Sequence, residues 1–228
     1  MRTVPLLRFP DCIVARTPDW IAIEKPGGLP SRPAPGHAGN ALTMLEAYLG
    51  PNIRPGVVHR LDRDTSGLLL FSLSPHGHRF LVEGFRTRTI RKSYLGWVHG
   101  QPRPRRGSIE LPLRRNPSGR MVVDPRGAPA LTRYESLRRV GDFHLLRVEP
   151  STGRMHQIRV HLANRGTPLV GDRLYGVHDR APRLFLHAAS LRLPADQKSP
   201  AGAALELRSS EPEEFSAWIA LHGNHPIR

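Results

Sequence analysis

His59-Arg60-Leu61-Asp62-Arg63-Asp64-Thr65-Ser66 is a run of charged and hydroxyl side chains interrupted only by Leu61, and it leads directly into Gly67-Leu68-Leu69-Leu70-Phe71. The second part is a continuous apolar stretch of strand length, the pattern of a strand buried on both faces. The polar part is thereby pinned beside the core, where structure alone rarely asks for charge. A carboxylate in such a place is costly unless it is paired and hydrogen-bonded, and Arg60 or Arg63 with the Thr65 and Ser66 hydroxyls can supply both. Pairing of that kind favours the ionised form that a nucleophile or base needs. A capped turn with surface ion pairs would use the same residues, so physics alone leaves both readings open.

Upstream of this run, residues 20–23 read as a short strand that stops at the turn Lys25-Pro26-Gly27-Gly28. Residues 31–40 are a Pro- and Gly-rich loop. Leu42, Leu45 and Leu49 then have helical spacing, ended by Gly50-Pro51. Downstream, Ser74-Pro75 reads as an N-cap with proline at the first helical position, and Phe80, Leu81 and Phe85 supply that helix's buried stripe. Strand patterns recur at 93–99, 131–137, 143–148 and 184–193. Residues 101–126 between them are turn-rich and basic, which predicts hairpins or exposed loops rather than core.

Met155, Ile158 and Leu162 are spaced for a helix that Gly166 stops. Near the C-terminus Ser210 and Glu213 fit a capping box, with Phe215, Trp218, Ile219 and Leu221 as the apolar face of a helix ended by Gly223. Several strands follow one another with no helix between them. This predicts an α+β fold, a mixed and largely antiparallel central sheet with flanking helices and loops, in one domain over residues 1–228.

The chain has 228 residues, a formal net charge of +15 and a sequence pI of about 11.4. Such a surplus favours a polyanionic partner, because each phosphate neutralised by Arg or Lys releases counterions. All but three of the 34 basic residues are Arg, and between residues 86 and 139 thirteen arginines and Lys92 face only Glu110, Asp124 and Glu135. That stretch is a candidate basic surface. Cys12 is the only cysteine, which excludes an internal disulfide framework and a thiolate-based zinc site. No apolar stretch approaches the ~20 residues needed to span a bilayer. A soluble, cytoplasmic protein, monomeric and without a membrane partner, is expected.

His59-Arg60-Leu61-Asp62-Arg63-Asp64-Thr65-Ser66-Gly67 resembles the signature of the RluA-type pseudouridine synthases, which modify uridines in ribosomal and transfer RNA. Further stretches resemble the family in its own order: KPGGL from Lys25, RKSYLGWVHG from Arg91, GRMHQIRVHLA from Gly153, GDRLYG from Gly171 and RLFLHAASL from Arg183. Met155 departs from the threonine common at that place. The short N-terminal segment implies the branch without an S4 domain.

The resemblance implies that Asp62 is the essential aspartate, Tyr94 the aromatic residue that stacks on the target base, and Arg159 the ion-pair partner of the aspartate. It implies that Arg60 enters the RNA helix in place of the everted base, and that Arg63, Arg91, Lys92, Arg154 and His156 bind RNA. It further implies that no cofactor and no metal are required, since the reaction moves uracil from an N1 to a C5 link on the same sugar with no redox change. Whether Asp62 attacks C1′, adds to C6 or acts as a base at the 2′ position stays open. Extrusion of the base costs a few kcal/mol, which stacking and a space-filling arginine partly offset.

Two other classes fit parts of the pattern. Asp62 and Asp64 could hold Mg²⁺ as an Asp-x-Asp pair. A basic RNA-binding or ribosome-assembly protein could use Asp62 only structurally. His156 and His161 are five apart, poor spacing for a shared metal on a helix.

Overall fold

A computed structural model describes residues 6–196 and 203–223. In chain order its elements begin with β1 (Ile13–Arg16), β2 (Trp20–Lys25), α1 (Ala41–Leu49), β3 (Gly56–Val57), β4 (Ser66–Ser72) and α2 (Pro75–Arg86). Five strands then follow, β5 (Arg91–His99), β6 (Arg106–Glu110), β7 (Leu113–Arg115), β8 (Met121–Val123) and β9 (Leu131–Val140), and β10 (Phe143–Pro150) completes the run. The chain ends with α3 (Gln157–Asn164), β11 (Leu186–Leu193), β12 (Leu205–Arg208) and α4 (Glu213–His222). The described chain divides into two compact units, residues 1–92 with 188–209 and residues 93–187 with 210–228.

In the first unit β2 pairs antiparallel with both β1 and β4, with Ile23 opposite Leu69 and Ala22 opposite Leu70. β4 is buried along its whole length, as its unbroken apolar run demands. Leu68 and Leu70 pack with Trp20, Ala22, Leu81 and Leu191, and burying each leucine contributes about 1.5–3 kcal/mol. Gly67, the second residue of the strand, has φ +107, and a β-carbon there would lie 2.4 Å from the carbonyl oxygen of Ala188. Only glycine fits.

The two helices of this unit start where side-chain chemistry places them. Asn40 Oδ1 accepts from Thr43 N at 3.1 Å, and Ser74 Oγ accepts from Gly77 N at 3.0 Å with Pro75 next to it. Each cap is worth about 1 kcal/mol. Gly77 lies flush on the Asp19 carbonyl, so the start of α2 is also fixed by close approach.

The second unit holds β5, β10, β9 and β6, neighbours in that order and all antiparallel, with Tyr94 opposite Val148. Trp97, Phe143, Val170, Phe185, Phe215 and Ile219 form its main core. β7 and β8 make a separate hairpin. The fold is α+β with largely antiparallel sheet, as the succession of strand patterns predicts.

Several local expectations are corrected. β1 has no clear apolar signature and is missing from the sequence reading; it is an edge strand whose exposure alternates. The capping box at Ser210 and Glu213 does not form. α4 begins after Pro212 at φ −59, with no side-chain cap, and the Ser210 hydroxyl lies too early in the chain. Leu221 points to solvent at 71% exposure instead of joining Phe215 and Ile219. Met155 precedes α3, because His156 adopts a left-handed conformation at φ 52 that interrupts the helix. The 101–126 segment is not all surface: Ile109, Leu113 and Met121 are buried, the last two beside Ala130 and Val160.

Candidate active site

Asp62 lies half-buried in the loop between β3 and β4, and the backbone on each side of it is tied down. Ser31 Oγ donates to the Leu61 carbonyl at 2.9 Å and accepts from Leu61 N at 3.0 Å. On the other side, the Arg63 carbonyl accepts from Lys25 Nζ at 3.0 Å and from Gly28 N at 2.9 Å. Thr65 N closes the turn on the Asp62 carbonyl at 3.2 Å. Lys25 is fully buried, and its ammonium also donates to the carbonyls of Pro26 and Leu29, both at 2.8 Å. A buried cation persists because several oriented dipoles replace its water.

His59 opens the loop and is held in the neutral form. Its Nε2 accepts from Leu70 N at 2.9 Å, so that nitrogen carries no proton, and its ring lies 4.6 Å from that of Phe85. Burial, with the Lys92 charge as a smaller second cause, pushes its pKa down to about 3. Arg60 and Arg63 are exposed, and Arg63 makes a two-point pair with Asp64 at 2.8 and 2.9 Å. Arg91 is exposed at the start of β5; Lys92 beside it is half-buried, which lowers its pKa.

Tyr94, Arg154, His156 and Arg159 belong to the second unit. Tyr94 is 8% exposed on β5. Arg159 is 7% exposed and makes a two-point ion pair with Asp172, Nε to Oδ2 at 2.8 Å and Nη2 to Oδ1 at 2.7 Å. Removing Arg159 would leave the Asp172 carboxylate buried without its cation, a loss of about 3–5 kcal/mol. Asp172 Oδ1 also accepts from the backbone N of Leu174 and of Tyr175, each at 3.0 Å, so one carboxylate shapes the turn and anchors the guanidinium. Arg154 is exposed and donates to the Pro129 carbonyl at 3.2 Å.

Two polar residues of α3, Gln157 and His161, are buried and bonded to neighbouring strands and loops. Gln157 accepts from Thr152 Oγ1 and Arg154 N and donates to the Leu131 carbonyl and Thr132 Oγ1. The fully buried His161 contacts Thr132 Oγ1 at 2.8 Å and the Leu111 carbonyl at 2.9 Å. His156 Nδ1 lies 2.9 Å from the Tyr175 hydroxyl.

The β7–β8 hairpin carries Arg114, Arg115 and Arg120, with Arg126 just after it, and two of these four, Arg114 and Arg126, bond the carboxylate of Asp124. Asp124 accepts from Arg126 N and Nε at 2.9 and 3.2 Å and from Arg114 Nε at 2.9 Å. Hydrogen bonds from Arg126 first, then Arg114, hold that carboxyl well below the ordinary carboxylate range. No group of three His, Cys, Asp or Glu that could hold a metal ion is present among the described residues, and no helix there is long and apolar enough to cross a membrane.

Lys25, Ser31, Asp172 and Tyr175 were not singled out by the sequence reading, although three of them stand in stretches it quotes. A lysine closing an apolar strand, and a carboxylate in a Gly-Asp turn, were the available signals.

A profile of the family described as RNA pseudouridylate synthase matches residues 19–164, the segment that holds the Asp62 loop, Tyr94 and Arg159. An uncharacterized RNA pseudouridine synthase of Chloroflexus aurantiacus is 46% identical over 181 residues, 75% of this chain and 57% of that protein. The chain thus spans a little over half that relative's length. Ribosomal large subunit pseudouridine synthase D of Haemophilus ducreyi is 34% identical, with 91% of this chain and 69% of that protein covered. The human RNA pseudouridylate synthase domain containing 4 superposes with a TM-score of 0.76 over 92% of each chain; at 24% identity the likeness speaks for the fold. The profile covers more than half of the chain and the relatives exceed 30% identity, so the chain belongs to the RNA pseudouridylate synthase family.

Proposed function

We propose that this chain isomerises uridine in structured RNA, ribosomal or transfer RNA, to pseudouridine, with the target base everted from its stack and Asp62 as the essential carboxylate. The observation that carries the reading is the double fixation of the Asp62 backbone, by Ser31 at Leu61 and by Lys25 and Gly28 at Arg63. A loop of this polarity held by a buried lysine is organised for the carboxylate between its anchors. Breaking the C1′–N1 bond develops positive charge at the sugar, which a carboxylate can stabilise or trap. No group is gained or lost, so the reaction asks for no cofactor.

Tyr94 takes the stacking role and Arg159 the role of guanidinium partner to the aspartate. Arg60 fills the space of the everted base. Arg63, Arg91, Lys92, Arg154 and His156, with the hairpin arginines, contact the RNA. The protein acts as a cytoplasmic monomer. The name of the Haemophilus relative supports ribosomal RNA as the first substrate to try.

The test is Asp62→Asn, introduced into cells otherwise lacking this protein, with pseudouridine mapped across all stable RNAs. Sites restored by the wild-type chain should stay unmodified with the variant, while folding and RNA affinity persist. Restoration by the variant would overturn the reading. Full activity of the wild-type chain in excess EDTA is expected and separates it from Mg²⁺ chemistry at Asp62 and Asp64.

A further inference from the structure

We propose that Tyr175 is a positioning residue that ties the arginine hairpin to the first turn of α3, so that RNA held by the hairpin is felt at Arg159. The proposal rests on the reading of the hairpin and of Arg159 given above.

Tyr175 reaches this place through a rigid turn. Asp172 Oδ1 accepts from Leu174 N and Tyr175 N, and Gly176 N returns to the Asp172 carbonyl at 2.8 Å. Gly176 has no room for a β-carbon, which would stand 2.7 Å from the same carbonyl oxygen. The carboxylate that sets the ring's direction is therefore also the one that grips Arg159.

Three partners meet the tyrosine. Its hydroxyl accepts from Met121 N, the first amide of β8, at 3.1 Å. The same oxygen lies 2.9 Å from His156 Nδ1, and the two rings pack edge to face at 5.6 Å. Around the ring, Arg120 Cζ of the hairpin lies 4.7 Å from the centroid and Arg159 Cζ of α3 lies 5.2 Å from it. Both distances are within cation–π range.

His156 is the reason to read this contact as more than packing. It precedes α3 in a left-handed conformation, φ 52, without a side-chain cap. Few residues with a β-carbon adopt that conformation, and such positions gather at functional sites. The phenol oxygen accepts from Met121 N and makes a second tie through its contact with His156 Nδ1. One hydroxyl thus holds the hairpin backbone and the residue from which α3, and Arg159 on it, departs.

Tyr175→Phe keeps the ring between the two guanidiniums and removes both hydroxyl contacts. With unmodified RNA from cells lacking this protein, the single-turnover rate should fall about tenfold while RNA affinity changes less than about twofold, as expected when ordinary hydrogen bonds are lost from positioning and not from binding. In the wild type Arg120→Ala should slow turnover; in a Tyr175→Leu background, where ring and hydroxyl are both gone, the same change should cost little more. Equal effects of Arg120→Ala in both backgrounds, or a Tyr175→Phe rate equal to wild type, would overturn the proposal. Without RNA, amide exchange at Met121 should quicken in Tyr175→Phe and the His156 ring-nitrogen shifts should move; unchanged values would also overturn it. These last readouts do not require turnover, so an inactive wild-type chain would count against the proposed function and leave the tie decided by exchange and ring shifts.

Discussion

Two surfaces of the second unit share the same arginine-rich stretch and differ in what opposes the charge. On β6, β9 and β10 three of the five arginines face a glutamate across the sheet: Arg147 and Arg106 are both opposite Glu135, and Arg133 is opposite Glu149. Arg147 Nη1 bonds Glu135 at 3.1 Å, an exposed pair worth at most about 1 kcal/mol. On and just after the β7–β8 hairpin, Arg114 and Arg126 share Asp124, while Arg115 turns to the Gly119 carbonyl and Arg120 to the Tyr175 ring. Glutamates thus answer part of the charge on the first surface, while the second keeps a larger unbalanced positive field. Counting basic residues along the chain merges the two, and only the pairing across strands separates them.

The sharpest break of this comparison removes the charge. Arg114, Arg115 and Arg120 changed together to Ala should weaken RNA binding about 10- to 100-fold and reduce the slope of log affinity against log salt by about two, measured by titration at several salt concentrations. The matched triple Arg106, Arg133 and Arg147 to Ala should move affinity less than about threefold. Equal losses from the two triples would abolish the distinction.

A smaller effect concerns acid. The Asp124 carboxyl is depressed, so its contribution is present above the ordinary carboxylate pKa of about 4 and is lost only as pH falls further toward the depressed value. His59 works in the other window. Its folded pKa near 3 lies below the unfolded value of 6.5, so the unfolded chain takes the proton first and stability falls as pH drops from 6.5 toward 3. The slope is at most about 1.4 kcal/mol per pH unit for this imidazole. Exchange of hairpin amides should therefore hold steady, after correction for intrinsic rates, between pH 7 and 5, while denaturant midpoints decline. His59→Gln, which can still offer an acceptor to Leu70 N, should flatten that decline; an unchanged slope would remove His59 as its source.

The smallest change is Glu135→Gln. It frees one positive charge on the balanced face, so RNA affinity should rise by less than about twofold and the melting temperature should barely move, as calorimetry would show. A large gain would mean that the sheet face already contacts RNA.

What was legible in the sequence was whatever depends on near neighbours. The apolar run of β4, the Ser74-Pro75 start of α2 and the Gly50 stop of α1 all act within a few residues. The Asp62 motif was found because its polarity conflicts with the strand beside it. The remainder depends on partners distant along the chain. Lys25 finds Arg63 38 residues away and Tyr175 finds Met121 54 residues away, and no local pattern specifies either meeting. Ser210 misled because a capping box is a local match, while Pro212 set the actual start of α4. Leu221 misled because helical spacing does not say which side a neighbour covers.

The paired bonds between Ser31 and Leu61 pin together two points 30 residues apart in sequence. Whatever happens to the exposed excursion around residues 33–39 is sealed off from the carboxylate beyond the knot. Lengthening that excursion by a few glycines adds only a slowly growing closure entropy, a few tenths of a kcal/mol. It is a natural place to graft a tag or a second RNA-binding segment without disturbing Asp62.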